Sequence, residues 1–443
     1  MDRSAPASQP ASALRPASDV SVGVGLVGLV ALAAWVLVCR NWAQLADLMG
    51  LPGPRRVMDG PLASVASVAV VALAMTAWSL LVDKVHHHPD TGIDWANPRP
   101  LRDIRGISAV KLVGLWGTWA AIGMFYCLGR WYWQGSWLFA LHLIGVAVVP
   151  MALLSIPYVL WLDRVLVRPQ DGAWHFGAWL LGRDGVDRQA ALRHARSWAV
   201  KGFFTAFMFS ILPAGFGAVV RFDASHLGDP VASVNWLIDI LFMVDVQVGT
   251  VGYLLTLRPL CAQIRSANPY FDGWVAALIC YPPFVLMGGG GPLDYHAGAS
   301  DWVALTQGWP VVQWVWGLWL VGLTAAYAWA TVAFGLRFSN LTYRGVLTHG
   351  PYALTRHPAY LSKNLFWWCS TLPFLPATHS AVDAVRNTAI LAVVSAVYWW
   401  RAKTEERHLM AEDAKYRAYH AWAGAHAPAT RALAWAERAM GWR

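Results

Sequence analysis

Apolar residues run through this chain in long uninterrupted stretches that do not alternate with polar ones. Ten stretches, near residues 20–39, 61–82, 110–129, 136–162, 199–220, 232–257, 271–288, 310–336, 359–377 and 383–400, approach the length of a membrane crossing. A hydrocarbon core about 30 Å thick needs roughly 20 helical residues. A continuous apolar run satisfies its backbone amides in lipid only as a helix, whereas a barrel strand would alternate. The pattern predicts an all-α, polytopic transmembrane helical protein of about ten spans.

Composition agrees: 57% of the 443 residues are apolar and 13% charged, a combination foreign to soluble globular chains. The excess of 34 Lys and Arg over 25 Asp and Glu does not imply nucleic acid. With both termini on the cytoplasmic side, 28 of the 34 basic residues fall in inside segments and 6 outside, as the positive-inside rule requires. Arg164, Arg168, Arg183, Arg188, Arg193, Arg196 and Lys201 alone follow the fourth stretch, while Arg40, Arg55 and Arg56 are exceptions. The natural surroundings are membrane lipids; oligomeric state is not legible.

Residues 1–19, rich in Ala, Ser and Pro without a basic cluster before a short apolar core, read as a disordered tail and not a cleaved signal. Cys39, Cys127, Cys261, Cys280 and Cys369 are isolated and odd in number, so neither a disulfide framework nor a thiolate metal site is expected. Polar breaks fall at 86–105 and 163–197, and Gly288 to Gly291 followed by Pro292 ends any helix there. A boundary near residue 300 divides an N-terminal transmembrane region, 20–300, of no derivable role from a C-terminal membrane domain with a cytosolic tail, 301–443.

The chemistry concentrates in that second part. Gly350, Pro351 and Tyr352 precede Arg356, His357, Pro358 and Tyr360. Pro358 suits the first position of a helix, His357 is extended before it, and Tyr360 lies in the first turn. Free amides and the positive dipole end gather there, so an anionic group can dock. Some forty residues on, Arg401, Glu405 and Glu406 leave the last stretch, with Arg401 and Glu405 on one helix face. Singly, Arg401 reads as a snorkelling residue and the two acids as a solvated helix end paired with Lys403 or Arg407. Together with the Tyr, Arg, His and Pro cluster they form a candidate site.

The string Leu347, Thr348, His349, Gly350, Pro351, Tyr352, then Arg356, His357, Pro358, Ala359, Tyr360, then Arg401 to Glu406 with Tyr416 and Tyr419, resembles the C-terminal core of the isoprenylcysteine carboxyl methyltransferases and related membrane methyltransferases. The resemblance covers roughly residues 335–422, about a fifth of the chain. It implies an S-adenosylmethionine site open to the cytosol and a lipophilic substrate, prenylated or isoprenoid-like, entering from the bilayer. By position, Val346, Leu347, Tyr352, His357, Pro358, Ala359, Tyr360 and Glu405 would line the cofactor, and Arg401 would hold the methyl acceptor. One position departs: the family's usual histidine at the start of its first motif is Arg344 here.

The residue types suit that cofactor. Its sulfonium and ammonium call for an acid such as Glu405 and for aromatic faces such as Tyr352 and Tyr360, and its carboxylate for donors near His357. Methyl transfer is an in-line displacement, so alignment in a water-poor site is the main demand. A carboxylate acceptor needs no base; a thiol or amine would call on His357 or Glu406. Arg356 either braces the loop through carbonyls or forks the cofactor carboxylate.

Two other readings stand beside this one. A sterol-reductase-like enzyme using NADPH is the first, against which the Glu405, Glu406 pair stands because that pattern normally carries Arg-Asp there. The second is a transporter or non-catalytic membrane partner, for which the large N-terminal part and Asp239 are the hints. Asp239 and Asp245 lie inside the sixth stretch, where a carboxylate is costly, and the structural alternative pairs them with Lys201 or Arg258. His86, His87 and His88 are adjacent and lack a second ligand pair, so an interfacial loop is expected there and no metal. The tryptophans, Trp314, Trp316 and Trp319 among them, read as interfacial belts and packing.

Overall fold

The computed structural model describes residues 14–439. Among them the chain forms α1 (Val22–Arg40), α2 (Trp42–Leu48), α3 (Pro61–Leu81), α4 (Leu101–Leu128), α5 (Gly135–Val165), α6 (Gly172–Leu180), α7 (Arg188–Arg221) and α8 (Pro230–Leu254). After β1 (Ser266–Ala267) come α9 (Phe271–Leu278), α10 (Trp302–Leu305) and α11 (Pro310–Phe334). Then β2 (Thr342–Tyr343) precedes α12 (Pro358–Thr371), α13 (Ala381–Glu412), α14 (Ala414–His426) and α15 (Pro428–Ala439). The protein is an all-α, multi-pass membrane protein: among the described residues eight helices, α1, α3, α4, α5, α7, α8, α11 and α13, are long and apolar enough to cross a membrane.

Eight such helices, and not ten, corrects the sequence-based count. The stretch at 271–288 is helical only over Phe271–Leu278, because Pro282 and Pro283 remove two amide donors and the glycines of 288–291 favour turns. The stretch at 359–377 supports the 14 residues of α12, about 21 Å at 1.5 Å per residue. Pro373 and Pro376 follow.

Both short segments nevertheless travel the length of the bundle. On α11, Gly317 meets Val234 near the start of α8, Tyr327 bonds Asp245 at mid-helix, and Phe338 beyond the helix lies on Gly252. Helices α8 and α11 are therefore parallel, and the chain between them must return to its starting end. β1 pairs antiparallel with β2 at one end, Ser266 opposite Tyr343. At the other end Ala299 bridges Pro376 and Asn387 donates to the Ala297 carbonyl at 2.9 Å. The return runs through α9 and a series of turns; irregular backbone at such depth is tolerated where protein encloses it.

The N-terminal helices are bound by close backbone approach and buried ion pairs. A Cβ at Gly114 of α4 would lie 2.0 Å from the Ala173 carbonyl oxygen of α6, and Gly177 meets Val110 in the same way; only glycine permits that contact. Beside it Lys111 Nζ lies 2.5 Å from Asp163 and 3.1 Å from Asp171. These contacts lie in the polar break at 163–197, which proves largely helical, in α6 and the first turns of α7.

Three further expectations change. Of the proposed tail, residues 1–13 lie outside the described residues, but Asp19 is fixed: its amide donates to Val346 O (2.9 Å), its carboxylate accepts from Val346 N (2.7 Å), and Lys415 pairs with it. Asp245 pairs with neither Lys201 nor Arg258. It accepts from Tyr327 Oη at 2.7 Å and from Thr331, while Lys201 donates to Thr256 at 2.7 Å and Arg258 to the Thr91 carbonyl. Asp239 stays exposed on α8.

Candidate active site

The site lies where the ends of α8, α11 and α13 meet the start of α12. Its foundation is Arg344, 3% exposed, just after β2. Its guanidinium donates to five carbonyls: Gly252 (2.8 Å), Leu255 (3.3 Å), Ala262, Leu336 (2.7 Å) and Phe338 (2.8 Å). Helix ends leave carbonyls without intrahelical partners, and a planar five-donor fork can serve several at once. Burial draws the Arg344 pKa down to about 9. The departure at this position thus has a structural use, tying the ends of α8 and α11 together.

From this anchor the chain lays Val346 and Leu347 along a cavity wall and turns through Gly350–Ala353. Tyr352 is packed edge-on against Phe334 at 5.4 Å, and burial lifts its phenol well above the ordinary range, with Tyr419 and Glu405 adding to the effect. His357 has φ −130° and ψ 62°, outside the helix that Pro358 begins. That is the arrangement the proline predicts.

All ten residues singled out by sequence, Val346, Leu347, Tyr352, Arg356, His357, Pro358, Ala359, Tyr360, Arg401 and Glu405, line one cavity of about 160 Å³. Within it they divide into two clusters. In the first, Tyr360 Oη donates to Glu405, Arg401 Nε lies 3.4 Å from the same oxygen, and the Arg401 guanidinium sits 5.0 Å above the Tyr360 ring. Arg401 is 2% exposed and donates to Asn340 Oδ1 at 2.7 Å. In the second, Glu406 accepts from His357 and Arg356 at 3.0 Å each, with Lys403 at 3.4 Å and His420 at 3.6 Å. Glu406 is 7% exposed, not a solvated helix end, and so many cationic partners suit a bracing role.

Sequence reading did not find several other members of the wall. Asn340 orients Arg401, and Tyr281, from the irregular return segment, lies 5.3 Å beneath the same guanidinium. Nothing in their spacing announces either. Lys363 was visible in principle, as an ionisable residue inside an apolar stretch.

The histidine loop forms a separate cluster. Only His88 joins it, with Nδ1 3.7 Å from Asp90 and 3.9 Å from Cys261 Sγ. Arg265 lies 2.5 Å from Asp90 and Arg337 3.4 Å from Cys261 Sγ. One guanidinium pairs with Asp90 and a second lies against the Cys261 thiol, and two positive charges at this distance are unfavourable to a further cation.

The fold thus defines a polytopic helical membrane protein whose C-terminal part carries a partly open, aromatic-walled cavity with charged residues set in a mainly apolar lining. Residues 295–423 match the family described as "Protein of unknown function (DUF1295)". No curated protein and no solved structure matches the chain.

Proposed function

We propose that the chain is an integral membrane methyltransferase that binds S-adenosylmethionine in this cavity, on the cytoplasmic side, and methylates a lipophilic acceptor, with a carboxylate as the group methylated. The observation that carries the reading is the single carboxylate of Glu405 in a wall of aromatic rings, among them Tyr352, Tyr360, Tyr398 and Tyr416. Such a surrounding attracts a sulfonium. A buried, unpartnered Arg356 Nε and the start of α12 offer donors to a carboxylate; this suits the zwitterionic cofactor.

When bound, the cofactor supplies an electrophilic methyl group. Glu405 and the tyrosine faces hold the cationic end, Arg401 orients the acceptor oxygen, and the enclosing helices exclude water. Alignment of this kind accounts for much of the rate in a displacement. No proton has to move when the acceptor is a carboxylate.

A second reading, the sterol-reductase-like enzyme using NADPH, is equally compatible with a match to a family of unknown function. The phosphates of NADPH require uncommitted cations. Arg344 on the cavity wall is engaged by carbonyls and Arg356 in part by Glu406, which leaves Lys363 and the Arg356 Nε. These are fewer free donors than a pyrophosphate and a third phosphate call for, and this favours the methyltransferase.

Thermal unfolding of the purified protein with S-adenosylmethionine, its demethylated product, or NADPH separates the two. A ligand at about 100 times its Kd stabilises by about 2.7 kcal/mol. Stabilisation by the first two compounds is expected; stabilisation by NADPH alone would overturn the proposal in favour of the reductase.

A further inference from the structure

We infer that Lys363, resting on the methyltransferase reading, is the anchor for the carboxylate of the acceptor, which reaches it by its apolar chain through a crevice between α8, α11 and α12. Among the described residues, Lys363 Nζ has no hydrogen bond or ion pair; it lies 4.9 Å over the Tyr327 ring and 5.7 Å over the Trp367 ring. Asp245 is the acid nearest in electrostatic effect, and both its oxygens are taken by Tyr327 and Thr331. A partly buried ammonium held by ring faces alone is poorly compensated and favours an anion.

Position sets the chemistry of that anion. Lys363 and Tyr327 belong both to the wall of the main cavity and to a second, narrow crevice of about 20 Å³ bounded by Phe242, Leu323, Phe366 and Trp367. Phe242 is 37% exposed on a membrane-crossing helix, so the crevice opens toward lipid. The crevice has room for about one water as it stands, so it marks the path by which a tail passes outward between these side chains into lipid. A ligand whose head meets Lys363 along that path has an anionic head on an apolar chain.

Charge agrees with an anionic head: Arg337, Arg344, Arg356, Lys363 and Arg401 line the main cavity against one carboxylate, that of Glu405. In the step itself the acceptor oxygen bonds to the methyl carbon, the carbon–sulfur bond breaks, and its electron pair stays on sulfur as a thioether. The product ester is uncharged, loses its hold on Lys363, and leaves by the same apolar crevice.

Equilibrium binding of tritiated palmitate to the full chain in phosphatidylcholine nanodiscs tests this. Expected are saturable binding above empty discs, competition by methyl palmitate at least tenfold weaker than by palmitate, and at least tenfold weaker binding in Lys363→Met but not in Lys363→Arg. The ester competing equally, Lys363→Met binding as wild type does, or no saturable binding would overturn the inference. The comparison of acid with ester needs only the wild type and stands even if the variants do not fold. Stabilisation by S-adenosylmethionine, measured on the same discs, separates the two claims. Its loss with palmitate binding intact strikes the cofactor reading, and the converse strikes Lys363.

Discussion

Replacing Arg344 by methionine isolates the largest hydrogen-bonding hub of the site without touching the groups assigned to chemistry. The guanidinium serves five carbonyls, on Gly252, Leu255, Ala262, Leu336 and Phe338. Methionine fills similar volume and offers no donor. A hydrogen bond is worth about 1 kcal/mol net, and buried acceptors left alone lose about 1–3 kcal/mol each; five of them give on the order of 5 kcal/mol. At about 2 °C per kcal/mol for a large chain, Tm should fall by roughly 10 °C. Once the more accessible thiols of Cys127, Cys280 and Cys369 have been blocked, reaction of a thiol dye with buried Cys39 and Cys261 during a fixed-rate temperature ramp reads this. Arg344→Lys should fall between, because one ammonium cannot reach five acceptors. A Tm for Arg344→Met within 2 °C of wild type would refute the account of this residue as the tie between helix ends.

Other expectations follow from the same contacts. Glu405→Gln, which keeps an acceptor for Tyr360 but removes the charge, should abolish stabilisation by S-adenosylmethionine, whereas Arg401→Ala should mainly lower turnover; equal cofactor affinity in wild type and Glu405→Gln would end that assignment. Gly114→Ala should destabilise the α4, α6 pair by at least 2 kcal/mol, since its Cβ would stand 2.0 Å from the Ala173 oxygen; unchanged thermal unfolding would show that the helices separate freely. Burial raises the Asp19 carboxyl, but Lys415 and the Val346 amide outweigh it and leave the pKa below the ordinary 3.8. The stability it contributes is therefore complete above pH ~4 and lost as pH falls through the folded value. Asp19→Asn should flatten that acid-side decline in Tm, and parallel pH profiles would count against the clamp.

Periodicity carried the fold class, because an apolar run long enough to cross lipid leaves the backbone one regular choice. It could not separate a full crossing from a partial one. The stretch at 271–288 is strongly apolar and that at 359–377 carries Ser362, Lys363, Asn364, Ser370 and Thr371, yet in both proline and glycine chemistry confines helix, to Phe271–Leu278 and Pro358–Thr371. In the site, the proline-started helix and the one-turn spacing of Arg401 and Glu405 were legible because both are local rules. Asn340, Tyr281 and the carbonyls under Arg344 were not, since they come together only through the parallel packing of α8 and α11. Asp19 escaped for the same reason: its partners, Val346 and Lys415, are more than 300 residues away.

The five acceptors of Arg344 have a bearing on how this chain can be cut. Gly252, Leu255 and Ala262 all precede residue 295, where the family match begins, and so do β1, Tyr281 and Asp19. A fragment holding only the matched part would keep every motif residue and lose the scaffold that aims them. The long N-terminal half is thus inseparable from the cavity, so transplanting or truncating at the motif boundary should yield an unassembled protein.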